Sequence, residues 1–235
     1  MEAYLSGLED RVKRNLPLNS IQSVASFFVS RIDTKIDAKL DGLLKNGTID
    51  AETYKRLAGK AAIANARLAY REFEKIFKSD RFKALQAHGA NLQRPLWAST
   101  STKNPNYRDV LYVEDLIGPF TVNTMPPATL DAFLDHGHVE TTIYKEIDQA
   151  ELLFQELESL GILMEQVSAE LEAEGVSAFS NSYTSIVKSV EQRRLEALSE
   201  LGPIARDVKS KAKELEKERF VNRFFEKDPT LWSAD

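Results

Sequence analysis

Three short stretches gather the residue types that bind anionic oxygen. Ser26 stands near Arg31, Ser99 opens the run Ser99-Thr100-Ser101-Thr102-Lys103, and Asn123 is followed by Thr124. Hydroxyls, an amide and two cations on short, firmly held backbone are what recognition of a phosphate requires. The plainer alternative is that these groups solvate strand-to-helix turns. Arg31 could equally form a surface pair with Asp33 or Asp37, worth about 0–1 kcal/mol when exposed. Lys103 has a second chemical reading, as a Schiff-base nucleophile. That role needs desolvation to bring the amine's pKa down, and the polar turn Thr102-Lys103-Asn104-Pro105 does not offer it. His136 and His138, with Asp135 and Glu140 nearby, look metal-like, but solvated loop residues are the expectation.

The rest of the composition excludes more than it suggests. The 235 residues contain no cysteine, so thiol catalysis, thiolate zinc sites and disulfides are ruled out. Three histidines leave little for a His-rich metal centre. A net charge of −5 argues against a dedicated nucleic-acid binder. No apolar run approaches the roughly 20 residues that span a bilayer, and Met1–Arg11 is too acidic for a signal peptide. A cytoplasmic chain without membrane or nucleic-acid partners is expected. Gly-rich phosphate loops, HExxH, GxSxG and kinase signatures are all missing.

The elements that must hold these groups are short strands alternating with helices. Val24–Val29 is an apolar, β-rich run expected to be buried on both faces. Pro95–Ser99 and Phe120–Asn123 are two more strand candidates. Asp50 predicts an N-cap, and Gly59–Phe77 carries Ile63, Ala66, Phe73 and Phe77 at helical spacing. Val113–Ile117 predicts a short helix closed by Gly118, and Ala128–Leu134 another ended by Gly137. From Ile147 the chain becomes almost continuously helical. Leu152, Leu153, Leu157 and Leu160 form a stripe ended by Gly161; Met164, Val167 and Leu171 form one ended by Gly175. Phe179, Tyr183, Ile186, Val187 and Val190 form a third, and a break falls at Gly202-Pro203. Strands alternating with helices place the front half in the α/β class with parallel strands, where ligands bind at the strands' carboxyl ends. Only three strands are convincing, and an eight-stranded barrel cannot be built from three.

Several long stretches, in order, resemble the long bacterial-type transaldolases: Ala3–Glu9, Ser23–Thr34, Leu96–Pro105, Asp109–Pro119, Thr121–Pro126 and Leu171–Val176. The segment Phe224–Trp232 is similar to the junction in transaldolases fused to glucose-6-phosphate isomerase. The resemblance implies the C-terminal part of a (β/α)₈ TIM barrel, with about three parallel strands, long helical insertions and a mainly helical C-terminal third. It divides the chain into a partial barrel at 1–145, holding strands six to eight and a helical insertion at about 36–91, and a helical region at 146–235 ending in a linker at 226–235. The activity implied is transfer of a dihydroxyacetone unit from sedoheptulose 7-phosphate to glyceraldehyde 3-phosphate through a lysine Schiff base, in the pentose phosphate pathway. Neither metal nor organic cofactor is implied. By the family's order the Schiff-base lysine and its carboxylate partners lie on earlier strands, so no catalytic residue is assigned here. Ser26, Arg31 and Ser99 match positions that hold the sugar phosphate, and Lys103 stands in for a second, arginine cation. The partners implied are sugar phosphates, an N-terminal barrel segment and a fused isomerase domain. The isolated chain is then expected to be inactive. The alternative is a non-catalytic partial barrel that binds or assembles with another chain through its unpaired strand edges.

Overall fold

The computed structural model describes residues 1–232. Helix α1 (Glu2–Lys13) precedes strand β1 (Ser23–Phe28), which passes through Val29 into α2 (Ser30–Lys45). Helices α3 (Ala51–Leu57), α4 (Ala61–Phe77) and α5 (Asp80–Ala87) lead to β2 (Gln93–Ala98). The one-turn α6 (Leu111–Glu114), β3 (Val122–Asn123), α7 (Pro127–His136) and α8 (Ile147–Ser159) follow. Then come α9 (Met164–Glu200), α10 (Ala205–Lys217) and α11 (Phe220–Phe225).

The three strands form one parallel sheet in the order β1-β2-β3. Register pairs Ser26 with Leu96, Phe27 with Trp97, and Trp97 with Asn123. Because side chains alternate along a strand, the sheet has two unlike faces. Phe27 and Trp97 stack edge-on at 5.8 Å on one face, and the Trp97 indole donates to the Leu116 carbonyl at 3.0 Å. Val24, Ser26 and Phe28 point to the other face and are exposed. The expectation that β1 is buried on both faces is therefore corrected: no layer among the described residues covers the Val24–Phe28 side.

The chain folds as two compact units, Met1–Glu172 and Ala173–Asp235. The first unit has one apolar core. Ile36 and Leu40 of α2, Ala66, Tyr70, Phe73 and Phe77 of α4, Phe82 of α5 and Leu157 of α8 all belong to it. The periodicity of Gly59–Phe77 delivers this face directly: Tyr70, Phe73, Phe77 and Phe82 run as a chain of ring contacts at 5.5, 5.1 and 4.8 Å. Asp50 caps α3 as its residue type predicts, accepting from the Thr53 amide at 2.7 Å.

Two glycines act otherwise than the sequence suggests. Gly118 does not close α6, which ends at Glu114; a Cβ there would meet Ile143 Cγ2 at 2.5 Å, so close packing is what demands glycine. Gly175 does not end a helix, for α9 runs through it. One interior glycine costs about 1 kcal/mol against alanine, too little to stop a helix that reads Leu171-Glu172-Ala173-Glu174 ahead of it. Gly161, at φ 80°, does follow the end of α8.

In the second unit, α10 buries no residue, matching the mixed charges of its sequence. Phe220 and Phe224 each pack edge-on against Trp232. Asp228, pulled down to about 2 by the Thr230 hydroxyl and then Arg223, caps the turn Pro229–Leu231. Residues 233–235 of the expected linker at 226–235 lie outside the described residues. No helix among the described residues is long and apolar enough to cross a membrane.

Candidate functional site

Past the ends of the strands, hydrogen bonds continue the ladder. The Val29 amide donates to the Ala98 carbonyl at 2.9 Å, and the Ser30 amide to the Ser99 carbonyl at 3.1 Å. The hydroxyls of Ser30 and Ser99 are 3.0 Å apart. On the other side of β2, the Thr124 amide donates to the Trp97 carbonyl at 2.9 Å and the Thr100 hydroxyl to Asn123 Oδ1 at 2.9 Å. Ser99 itself holds the left-handed conformation, φ 56°. For an L-residue this costs roughly 1–2 kcal/mol, and the paired contacts from Ser30 help to hold it. Polar groups from all three strands thus converge at the carboxyl end of a parallel sheet, where α/β proteins place their ligands.

Each expected phosphate-side residue has a definite place. Ser26 lies two residues before the end of β1, exposed on the open face and in register with Leu96. Arg31 sits in the first turn of α2, next to Ser30, with its guanidinium 4.9 Å from the Phe28 ring centroid. It forms neither of the surface pairs considered for it, because Asp33 and Asp37 turn into the protein. Ser99 is tied to the turn that carries Arg31. Lys103 stands apart from this group: it is exposed, and its Nζ donates to the Ser101 hydroxyl at 2.9 Å. It borders a cavity of about 210 Å³ lined also by Asp33, Asp37, Asp41, Tyr107 and Tyr112.

The acidic side of that cavity escaped the sequence reading. Asp33 is 1% exposed, and burial raises its carboxyl to about 6 against the opposing pull of the Tyr112 hydroxyl and the Ala62 amide. Burial also raises Asp37, which accepts from Tyr107 at 2.6 Å and from the Gly59 amide at 3.0 Å. A signal did exist. Asp33 and Asp37 are four apart, each next to one of the apolar residues Ile32 and Ile36, so they border the buried stripe of α2. Thr100 is fully buried, unlike the turn hydroxyls around it.

His136 ends α7 and His138 lies just past it, both exposed. His136 is flanked by Asp109 at 2.9 Å and Asp135 at 3.1 Å, which raise its pKa. No group of three or more potential metal ligands occurs among the described residues.

A three-stranded parallel sheet with long helices and polar groups gathered at the strand ends is part of an α/β barrel. The sequence matches the Transaldolase/Fructose-6-phosphate aldolase family over residues 5–190, and the chain belongs to that family. It is 50% identical over 192 residues to transaldolase 2 of Streptomyces avermitilis, covering 81% of this chain and 50% of that protein. The transaldolase of Trichodesmium erythraeum is 47% identical over 195 residues, 81% of this chain and 51% of the relative. That of Mycolicibacterium smegmatis is 48% identical over 192 residues, with 81% and 50% covered. The chain spans about half the length of the curated relatives it matches.

Proposed function

We propose that this chain supplies the phosphate-binding side of a transaldolase that moves a dihydroxyacetone unit between sugar phosphates, from sedoheptulose 7-phosphate to glyceraldehyde 3-phosphate. Arg31 and Ser99 hold the phosphate, Ser26 faces the substrate from the open side of β1, and Lys103 is an outlying second cation. The Schiff-base lysine and the carboxylates that move protons come from a barrel segment outside these 235 residues. That segment covers the open face of the sheet. The observation that carries this reading is the pair of contacts between Ser30 and Ser99, which sets the turn bearing Arg31 against the exit of β2. A guanidinium suits the role because its fork matches a phosphate edge, whereas Lys103 would act only as a point charge.

Joining the chain to the complementary segment of a relative tests the assignment. Arg31→Ala should raise KM for phosphorylated substrates about 10–100-fold, the loss of one charge-assisted contact, and barely change turnover of unphosphorylated ones. An equal loss on both classes would make Arg31 structural. A second reading, a non-catalytic assembly module, draws on the exposed face of Val24 and Phe28 and on the open edges of β1 and β3. It predicts that the joined protein makes no erythrose 4-phosphate at all.

A further inference from the structure

The segment Ser99–Val110 contains no helix or strand, yet two candidate phosphate contacts sit on it. Something must fix it against α2, where Arg31 resides. Two tyrosines do so. Tyr107 donates to Asp37 Oδ2 at 2.6 Å, and Tyr112, just beyond the segment, donates to Asp33 Oδ2 at 2.7 Å. Each carboxylate spends its other oxygen on the start of α4: Asp37 Oδ1 accepts from the Gly59 amide at 3.0 Å and Asp33 Oδ1 from the Ala62 amide at 2.7 Å. Asp33 and Asp37 lie one turn apart on α2, so the two bridges form a ladder joining α2, the entry to α4 and the C-terminal part of the Ser99–Tyr112 segment. Gly59 completes the fit. A Cβ at Gly59, which has φ 70°, would lie 2.6 Å from Tyr107 Cζ, so the ring occupies space that only glycine leaves.

We infer that Tyr107, through Asp37, is a positioning residue for the phosphate site: its hydroxyl latches the Ser99–Val110 segment to α2 and so sets Ser99 and Lys103 relative to Arg31. This rests on the proposed phosphate reading, but the latch has its own readout. Within the segment the Tyr107 amide donates to the Asn104 carbonyl at 3.1 Å and the Asn106 amide to Asn104 Oδ1 at 3.0 Å. These amides report its order by hydrogen exchange.

The test uses the full chain, with inorganic phosphate as probe and Tyr107→Phe as the variant that keeps the ring and removes the donor. Exchange at Asn106 and Tyr107 should accelerate about tenfold while exchange in α8 is unchanged. The phosphate Kd should rise about 5–10-fold, and the melting temperature should move by less than about 4 °C. Gly59→Ala, which displaces the ring, should reproduce the local acceleration. Unchanged exchange at Asn106 and Tyr107, or acceleration spread equally through α4 and α8, overturns the latch. Arg31→Ala separates the two ideas, since it should weaken phosphate binding and leave exchange alone. If wild type shows no phosphate binding while Tyr107→Phe still frees the segment, the latch holds and the phosphate reading falls.

Discussion

The two faces of the sheet are built from the same kinds of residue and treated differently. Phe27 and Trp97 are packed under the helices of the first unit, with Trp97 1% exposed. On the opposite face of β1, Val24 and Phe28 are 46% and 41% exposed. The helices repeat the contrast. The stripe Tyr70, Phe73 and Phe77 of α4 is buried, while Phe179, Tyr183, Ile186 and Val190 of α9 follow comparable spacing and stay exposed. Apolar periodicity therefore states which face should leave water, and the partner that covers it must be sought elsewhere. For the sheet, the proposed partner is the rest of the barrel.

The contrast can be broken by substitution, beginning with its buried side. Trp97→Ala removes a full ring and its bond to Leu116, and Phe73→Ala removes the centre of the aromatic chain. Each should cost about 3–5 kcal/mol in urea unfolding. The matching change on the open face, Phe28→Ala, should cost less than about 1 kcal/mol in the isolated chain; equal costs would mean that both faces are packed. Next in size is Asp33. Its folded carboxyl lies near 6, against an ordinary value of 3.8, so between those values the folded state binds the extra proton. Stability contributed by protonated Asp33 is present below about pH 4 and is lost as pH rises through 6. Asp33→Asn removes the titration. The stability of wild type minus that of Asp33→Asn should fall by on the order of 3 kcal/mol from pH 4 to 7, and a difference independent of pH would place Asp33 in contact with solvent. Smallest is the α9 stripe. Ile186→Ser should shift stability by no more than about 0.5 kcal/mol, and a loss of several times that would show the stripe packed in solution.

Much of this architecture was legible beforehand because it depends on local rules. The strands fall within a residue or two of their apolar runs, Asp50 caps where its type predicts, and α4 follows its periodicity. What stayed hidden depends on contacts between distant residues. Asp37 and Tyr107 are 70 positions apart, and nothing in either neighbourhood announces the other. Gly118 looked like a helix stop because a glycine demanded by a close neighbour and one demanded by a turn are identical in sequence. The open face of β1 was missed for a related reason: an apolar run signals a need for burial on both sides, whatever is present to meet it. Ser26, Arg31 and Ser99 were singled out as candidates because they lie at or near the carboxyl ends of strands, where the fold class itself says to look.

The central claim is that this chain carries one side of a transaldolase site and borrows the reactive lysine from a segment beyond it. The most direct test joins the 235 residues to the half of the Streptomyces avermitilis relative that they do not match and follows erythrose 4-phosphate formation, with the isolated chain measured beside it. The account predicts steady turnover from the joined protein and none from the chain alone. Turnover by the chain alone, or none from a folded joined protein, would contradict it.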